Sequence, residues 1–358
     1  MKYTKSETDL IVIDSIEALT YMQKKKFLAS VNPAVADREK YKNDLIKNTG
    51  GGVYNKVKVL FSDEKYRDGV LENLRRRGIE CVTYKSADYP PELKEIPVPP
   101  LVLYARGRRE LLSTRKFAVV GSRRTSAAAA ETCRRICAEL SEFVTIVTGV
   151  ADGGDSAAAT GALATGNVIC VLPGGHDSGC CRNAELLKRV ESEGLTVTEF
   201  VPGTPVQQHT FTLRNRIMAG MSEGVLVVSA GENSGTRSTV NYANGYNREV
   251  LAFPYSVGVA SGVGCNRLIK EGAALCDCAG DVLAALGINY KKAAAETLNA
   301  ESGKEASVLN LLKEEGEMHA EKIAATLKIN LTDAVTACSL LEIKGLVVRT
   351  GGNSFEAI

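Results

Sequence analysis

With 358 residues, 44% hydrophobic and 24% charged, the chain is long enough for one large domain with smaller appendages, and its composition excludes wholesale disorder. A formal net charge of +2 does not by itself mark a polyanion binder. The sequence starts without a signal-peptide pattern and contains no apolar run of ~20 residues, which predicts a cytoplasmic protein with no membrane partner.

Residues 305–358 hold 5 basic and 8 acidic residues, so the excess positive charge lies in residues 1–304, and any anion-binding surface is expected there. The ten cysteines include Cys133, Cys137, Cys170 and Cys338, which fall inside apolar patterns and read as packing residues of a reducing compartment. Cys180-Cys181 and Cys276-Asp277-Cys278 lack the two-residue gap of a zinc knuckle, so no metal is expected.

In chain order, residues 16–47 are helix-like and break at Thr49-Gly50-Gly51-Gly52. Residues 57–61 read as a strand, 65–77 as a basic helix ending at Gly78, and 80–84 as another strand. The triplets Lys24-Lys25-Lys26 and Arg75-Arg76-Arg77 read as solvated helix faces. From Lys116 the pattern becomes regular, with strands at 117–120, 144–148, 168–172, 196–200, 225–229 and 250–253, each followed by a glycine-rich turn and a helix. These strands are short, apolar and unalternated, as strands covered by helices on both faces must be. The fold class predicted is α/β: an extended Rossmann-like, doubly wound parallel sheet with a small N-terminal helical region and a C-terminal winged helix. The expected divisions are 1–56 (helical region), 57–288 (Rossmann-like domain with its lead-in), 289–304 (linker) and 305–358 (winged helix, from helices at 306–315, 320–327 and 331–344 and a hairpin turning at Gly351-Gly352-Asn353).

Ligands of such sheets bind beyond the carboxyl ends of the strands, where helix N-termini expose amides. The first strand ends in Gly121-Ser122-Arg123-Arg124-Thr125-Ser126. Arg123 occupies the second glycine position of a dinucleotide fingerprint, which argues against NAD and suits a phosphodiester, the alternative being a pairing with a nearby carboxylate. The second ends in Thr148-Gly149-Val150-Ala151-Asp152-Gly153-Gly154-Asp155, where Gly149 and Gly153 permit close approach and Asp155 is expected to cap the next helix. The third, Leu172-Pro173-Gly174-Gly175-His176-Asp177, resembles the nucleotide-monophosphate site of lysine-decarboxylase-like phosphoribohydrolases but lacks their Gly-Thr and glutamate. Phe211-Thr212-Leu213-Arg214-Asn215-Arg216 is the densest basic, aromatic and amide cluster. Arg214 and Arg216, two apart on a helix, diverge by ~200°, so at most one is expected to reach a phosphate. Phe211 either stacks on a base or belongs to the core. Ser234-Gly235-Thr236 places hydroxyls and amides at another helix start, for phosphate binding or capping.

These residues in this order, with Tyr89-Pro90-Pro91-Glu92-Leu93 and the run 100–107 before them and Asn266-Arg267-Leu268-Ile269-Lys270-Glu271-Gly272-Ala273 after them, resemble the DNA-processing protein A family (DprA/Smf) over nearly the whole chain. The resemblance implies a homodimer that binds single-stranded DNA and loads the RecA recombinase onto it in natural transformation, with no catalytic residue, cofactor or metal. It places DNA contacts at Arg123, Arg214, Asn215 and Arg216, and the motifs around them add Gly121, Ser122, Arg124, Gly149, Gly153, Phe211, Ser234, Gly235, Thr236 and Lys270 as candidate DNA contacts. Three positions depart from the family pattern: Asp152 stands where a basic residue is usual, Cys180-Cys181 for a Tyr-Pro pair, and Ser229 for a glutamate. They mark a divergent member with weaker or altered DNA binding. The candidate recognition helix of the tail, 331–344, has no arginine, which favours contact with protein over duplex DNA. Two rivals are a phosphoribohydrolase-like or cofactor-carrier protein using the same crevice, and an interaction protein whose DNA site has decayed.

Overall fold

The computed structural model describes residues 3–179, 183–232, 234–289, 303–343 and 345–357. Cys180-Cys181 and most of the predicted linker lie outside the described residues. The chain forms two compact units, Met1–Asn289 and Tyr290–Ile358.

The first unit opens with five helices, Lys5–Asp14, Tyr21–Val31, Arg38–Thr49, Gly51–Ser62 and Glu64–Arg76. Thr4 caps the first through a hydroxyl that accepts the Glu7 N–H at 3.2 Å. The expected strand at 57–61 is instead the end of the fourth helix, and the boundary drawn at 56 falls inside it. Tyr54, Val57 and Phe61 are buried at helical spacing while Val59 is 68% exposed. The apolar residues obey a period of 3.6, and the β-branched valines that suggested a strand are carried along by that packing. Phe27 anchors this cluster, with ring centroids 5.8 Å from Tyr54 and 5.2 Å from Phe61.

A nine-stranded sheet follows: β1 (Glu80–Thr83), β2 (Val102–Gly107), β3 (Lys116–Gly121), β4 (Thr145–Thr148), β5 (Val168–Val171), β6 (Leu195–Thr198), β7 (Gly224–Ser229), β8 (Glu249–Ala252) and β9 (Ala274–Leu275). Their spatial order is β1-β2-β6-β5-β4-β3-β7-β8-β9. The sheet is mostly parallel. Only β2 runs against its neighbours, β1 and β6, so β1 points the same way as β3. Strands β4, β5, β6 and β7 are buried at every position, as helices on both faces require. From β3 the chain winds out to β4, β5 and β6, then returns to add β7 on the other side of β3. The topological switch point therefore lies between β3 and β7, where open α/β sheets hold ligands.

The second unit has helices Gly303–Glu315, Ala320–Leu327 and Leu331–Ile343 and an antiparallel three-stranded sheet with Ser354–Ala357 between Met318–His319 and Val347–Gly351. Val308, Leu312, Ile323, Leu341 and Phe355 form its own core. Cys133, Cys137, Cys170 and Cys338 are buried. Among the described residues no helix is long and apolar enough to cross a membrane.

Candidate nucleic-acid interface

The switch point is shaped by contacts that only glycine allows. A Cβ on Gly121 would lie 2.7 Å from the Cα of Gly154, and one on Gly154 would lie 2.5 Å from the Cα of Gly121. The β3 turn and the start of the helix Gly154–Ala162 thus touch backbone to backbone. Gly153, at φ +85°, turns the chain into that helix. A serine secures the turn on its other side: Ser229, at the end of β7 and fully buried, accepts the Ser122 N–H at 2.9 Å. Its hydroxyl also lies 2.6 Å from that of Thr125 and 3.2 Å from that of Ser122. Ser229 thus pins the turn that carries Arg123.

Asp155 does not cap its helix, as had been expected; the N-cap position is Gly153. Its buried carboxylate accepts the Gly121 N–H at 3.1 Å and lies 3.9 Å from Arg214 Nη2. Burial raises its pKa, and Arg214 opposes the rise. Gly149 makes room for this pair, since a Cβ there would sit 2.2 Å from both Arg214 Nη1 and Asp155 Oδ2.

The helix Gln208–Gly220 supplies the opposite wall. Arg214 is 4% exposed and donates from Nη1 to the Val171 carbonyl at 2.8 Å and from Nε to Asn215 Oδ1 at 3.1 Å. Arg216, 8% exposed, faces elsewhere and pairs with Glu199 while donating to the Val98 carbonyl at 2.6 Å. Both arginines are thus held by protein groups, and Arg216 does not line the crevice. Asn215 donates to Ser238 Oγ at 2.7 Å, tying this helix to Thr236–Gly245.

Between these walls lies a crevice of about 1230 Å³. It brings together Gly121, Ser122, Arg123, Arg124, Phe211, Arg214, Asn215, Ser234, Gly235 and Thr236. Arg123 and Arg124 are exposed, and the Arg123 guanidinium lies 5.3 Å from the centroid of the Phe211 ring. Ser234 accepts the Thr236 N–H at 3.3 Å at the start of Thr236–Gly245. Gly149, Gly153, Arg216 and Lys270 are not lining residues; Lys270 is exposed at the end of the helix Val263–Lys270. Asp152, expected to repel an anion in the crevice, is not a lining residue either. The carboxylate that does line it, Asp155, is the one held by Arg214.

Sequence reasoning missed Gln208, which also lines the crevice, as do Thr212 of the Phe211 cluster and Ser238 and Thr239, which continue the hydroxyl-rich run begun at Ser234. Gln208, Phe211, Thr212 and Asn215 follow the spacing of one helix face, a signal that was available. Missed too was Asp281, whose carboxylate accepts the Asp277 N–H at 3.0 Å and the Cys278 N–H at 3.2 Å. Asp277 and Cys278 are thereby drawn into the cap of the helix Ala279–Ala285.

A doubly wound sheet whose switch point opens as a crevice with two exposed arginines, an aromatic ring and hydroxyls at helix starts defines an α/β protein built to receive an anionic ligand. Residues 80–287 match the family described as DNA recombination-mediator protein A, and the chain belongs to that family. Protein Smf of Synechocystis sp. is 35% identical over 224 residues, which are 61% of this chain and 56% of that one; the chain thus spans little more than half of that relative. The X-ray structure of DNA processing protein A from Streptococcus pneumoniae superposes with a TM-score of 0.66 and 29% identity, over 81% of this chain and 100% of that one. The corresponding protein of Helicobacter pylori, described for its single-stranded DNA binding mode, superposes with a TM-score of 0.53 and 25% identity over 58% of this chain and 95% of that one.

Proposed function

We propose that the protein binds single-stranded DNA in the switch-point crevice and serves DNA recombination by presenting that DNA to a RecA-type recombinase. The observation that carries this reading is the Arg123–Phe211 pair beside Arg124. A guanidinium for the phosphodiester next to a ring face for a base is the pairing that sequence-independent single-strand binding uses. Family membership and the single-stranded DNA binding of the H. pylori relative support it.

The role proposed is not catalytic. Among the described residues the crevice has no histidine or cysteine lining it, and its one carboxylate, Asp155, is committed to Gly121 and Arg214. The protein is proposed to work in the cytoplasm as a homodimer. Its second unit is proposed to be a winged helix that contacts protein, because the helix Leu331–Ile343 offers Asp333 and Glu342 and no arginine for a base edge.

The test is anisotropy of labelled oligo-dT against a duplex of equal length over a salt series, with wild type and Arg123→Ala. Tight, salt-sensitive, single-strand-selective binding that the substitution weakens tenfold or more supports the reading. Absence of binding at low salt overturns it.

A further inference from the structure

The five N-terminal helices enclose a second cleft, of about 1320 Å³, that the reading above does not use. Seven basic side chains line it against three carboxylates, Asp9, Glu39 and Glu64. Asp9 is taken by Arg67 at 2.8 Å and Glu39 by Lys42 at 3.0 Å. Lys5, Lys25, Arg38, Lys58 and Lys85 are exposed, and among the described residues none has a carboxylate within 4.0 Å. Of the triplet at 24–26, Lys24 pairs with Asp14 and Lys26 with Asp44, while Lys25 lines the cleft with its ammonium 5.5 Å from the centroid of the Tyr21 ring. One aromatic ring is open to the cleft: Tyr84 is 37% exposed, with its ring 5.6 Å from that of Tyr89, while Phe61 and Tyr54 line the cleft from the buried core. Clustered cations without carboxylate partners beside an exposed aromatic ring form a surface that can track a phosphate backbone.

The topology says what such a surface is for. Tyr84 and Lys85 follow the carboxyl end of β1, and Leu101 precedes β2. Because β1 points the same way as β3, those residues leave the sheet at the same edge as the Gly121 turn. Five strand spacings separate β1 from β3, about 24 Å at ~4.8 Å each. The sheet's twist makes the path along that edge a curved one. At the ~3.4 Å per nucleotide of a stacked strand, about seven nucleotides cover it.

We propose that this cleft is a second phosphate-backbone contact for single-stranded DNA, continuing along the sheet edge the strand held at the switch point. The inference rests on the crevice reading and extends it.

The test is the salt dependence of binding of an oligo-dT of about 24 nucleotides, long enough to span both sites, with four proteins beside wild type. One carries Lys25→Glu, Lys58→Glu and Lys85→Glu. One carries the same positions changed to arginine. One carries Lys40→Glu, Lys47→Glu and Lys56→Glu, exposed lysines outside the cleft that change the net charge equally. The last is Arg123→Ala. We expect the cleft reversal to weaken binding about tenfold and to lower the slope of log K against log salt by about 2, the loss of three single-strand phosphate contacts. The arginine variant should match wild type, and the outside reversal should stay within about threefold of it. Equal losses from the two reversals, or no loss from the cleft reversal, overturn the inference while the effect of Arg123→Ala leaves the crevice reading standing. Failure of wild type to bind, or binding indifferent to Arg123→Ala, sinks the crevice reading itself and this inference with it.

Discussion

The guanidinium of Arg123 sits over the ring of Phe211 with 5.3 Å between them, so the turn after β3 and the helix Gln208–Gly220 meet across the crevice through a cation and an aromatic face. A cation–π pair at an exposed site contributes about 0.5–1 kcal/mol. A base that stacked on Phe211 would compete for the same face. Single-strand binding therefore requires the pair to open, or the base to add to its far side.

A double-mutant cycle separates these. If the base adds alongside, the pair persists in the free and the bound protein, its energy cancels, and the losses of oligo-dT binding from Arg123→Ala and Phe211→Ala add in the double variant. If the base replaces the guanidinium, wild type must break the pair on binding and each single variant is spared that cost, so the double variant loses more than the sum by the energy of the pair. Geometry favours the first outcome, since a ring has two faces and the arginine covers one. We expect the two losses to add to within about 0.5 kcal/mol in anisotropy titrations at fixed salt.

The structure gives Ser229, at the end of β7, a structural task. Ser229→Ala removes, in a fully buried position, one of the two acceptors of the Ser122 N–H, which keeps the Ser229 carbonyl at 3.0 Å, and one of the two partners of Thr125, which keeps the Ser122 carbonyl at 2.7 Å. Because both groups keep a partner, the cost is that of the lost side-chain hydrogen bonds, about 0.5–1.5 kcal/mol. The expected result is a lowered denaturation midpoint together with weaker oligo-dT binding, because the turn it releases carries Arg123. Weaker stability with unchanged binding would show that the turn keeps its shape without the serine.

Much of this architecture was legible in the sequence. Six of the nine strands of the sheet fall where apolar runs end in glycine-rich turns, and the Gly121-Ser122-Arg123 turn lies at the switch point. What the sequence hid was the environment of charges whose partners are distant along the chain. Arg214 and Arg216, of which one at most was expected to reach a phosphate, are both held by protein groups distant in sequence, Arg214 by Asp155 and Val171 and Arg216 by Glu199 and Val98. Asp155 read as a cap because its tie to Gly121 crosses from one strand end to the next. The helix Gly51–Ser62 was misread because local β-propensity and helical periodicity disagree there, and burial of Tyr54, Val57 and Phe61 decides between them.

The burial of Arg214 predicts a dissociation of stability from binding. Arg214→Ala leaves the Asp155 carboxylate buried without its cation, and breaking a buried pair by removing one partner costs about 3–5 kcal/mol. Arg123 is exposed, so Arg123→Ala should leave the denaturation midpoint within about 0.5 kcal/mol of wild type while weakening DNA binding. Gly149→Ala should resemble Arg214→Ala, since its methyl group would occupy the space of the pair. Chemical denaturation of the three variants checks this. Equal stability for Arg123→Ala and Arg214→Ala would mean that the Arg214–Asp155 contact contributes nothing.

Two buried groups titrate in opposite senses, and their opposition predicts an unusual pH profile. Burial holds the His176 imidazole down at about 4, with its Nε2 3.2 Å from Thr196 Oγ1 and its Nδ1 unpartnered. The unfolded chain takes up that proton near 6.5, so His176 withdraws stability as pH falls from 6.5 to 4. The loss reaches at most about 3 kcal/mol. Burial pushes Glu199 up to about 7 against the pull of Arg216. The folded state therefore holds that proton more tightly than the unfolded one, and Glu199 withdraws stability as pH rises from about 4.5 to 7. Over the window the windows share, wild type should show a nearly flat thermal midpoint. His176→Gln removes the acid-side loss, so its midpoint should fall as pH rises from 5 to 7. Glu199→Gln removes the other, so its midpoint should rise over the same interval. Parallel profiles for the two variants, measured by thermal melts at constant ionic strength, would show that neither group keeps its shifted titration in the folded protein.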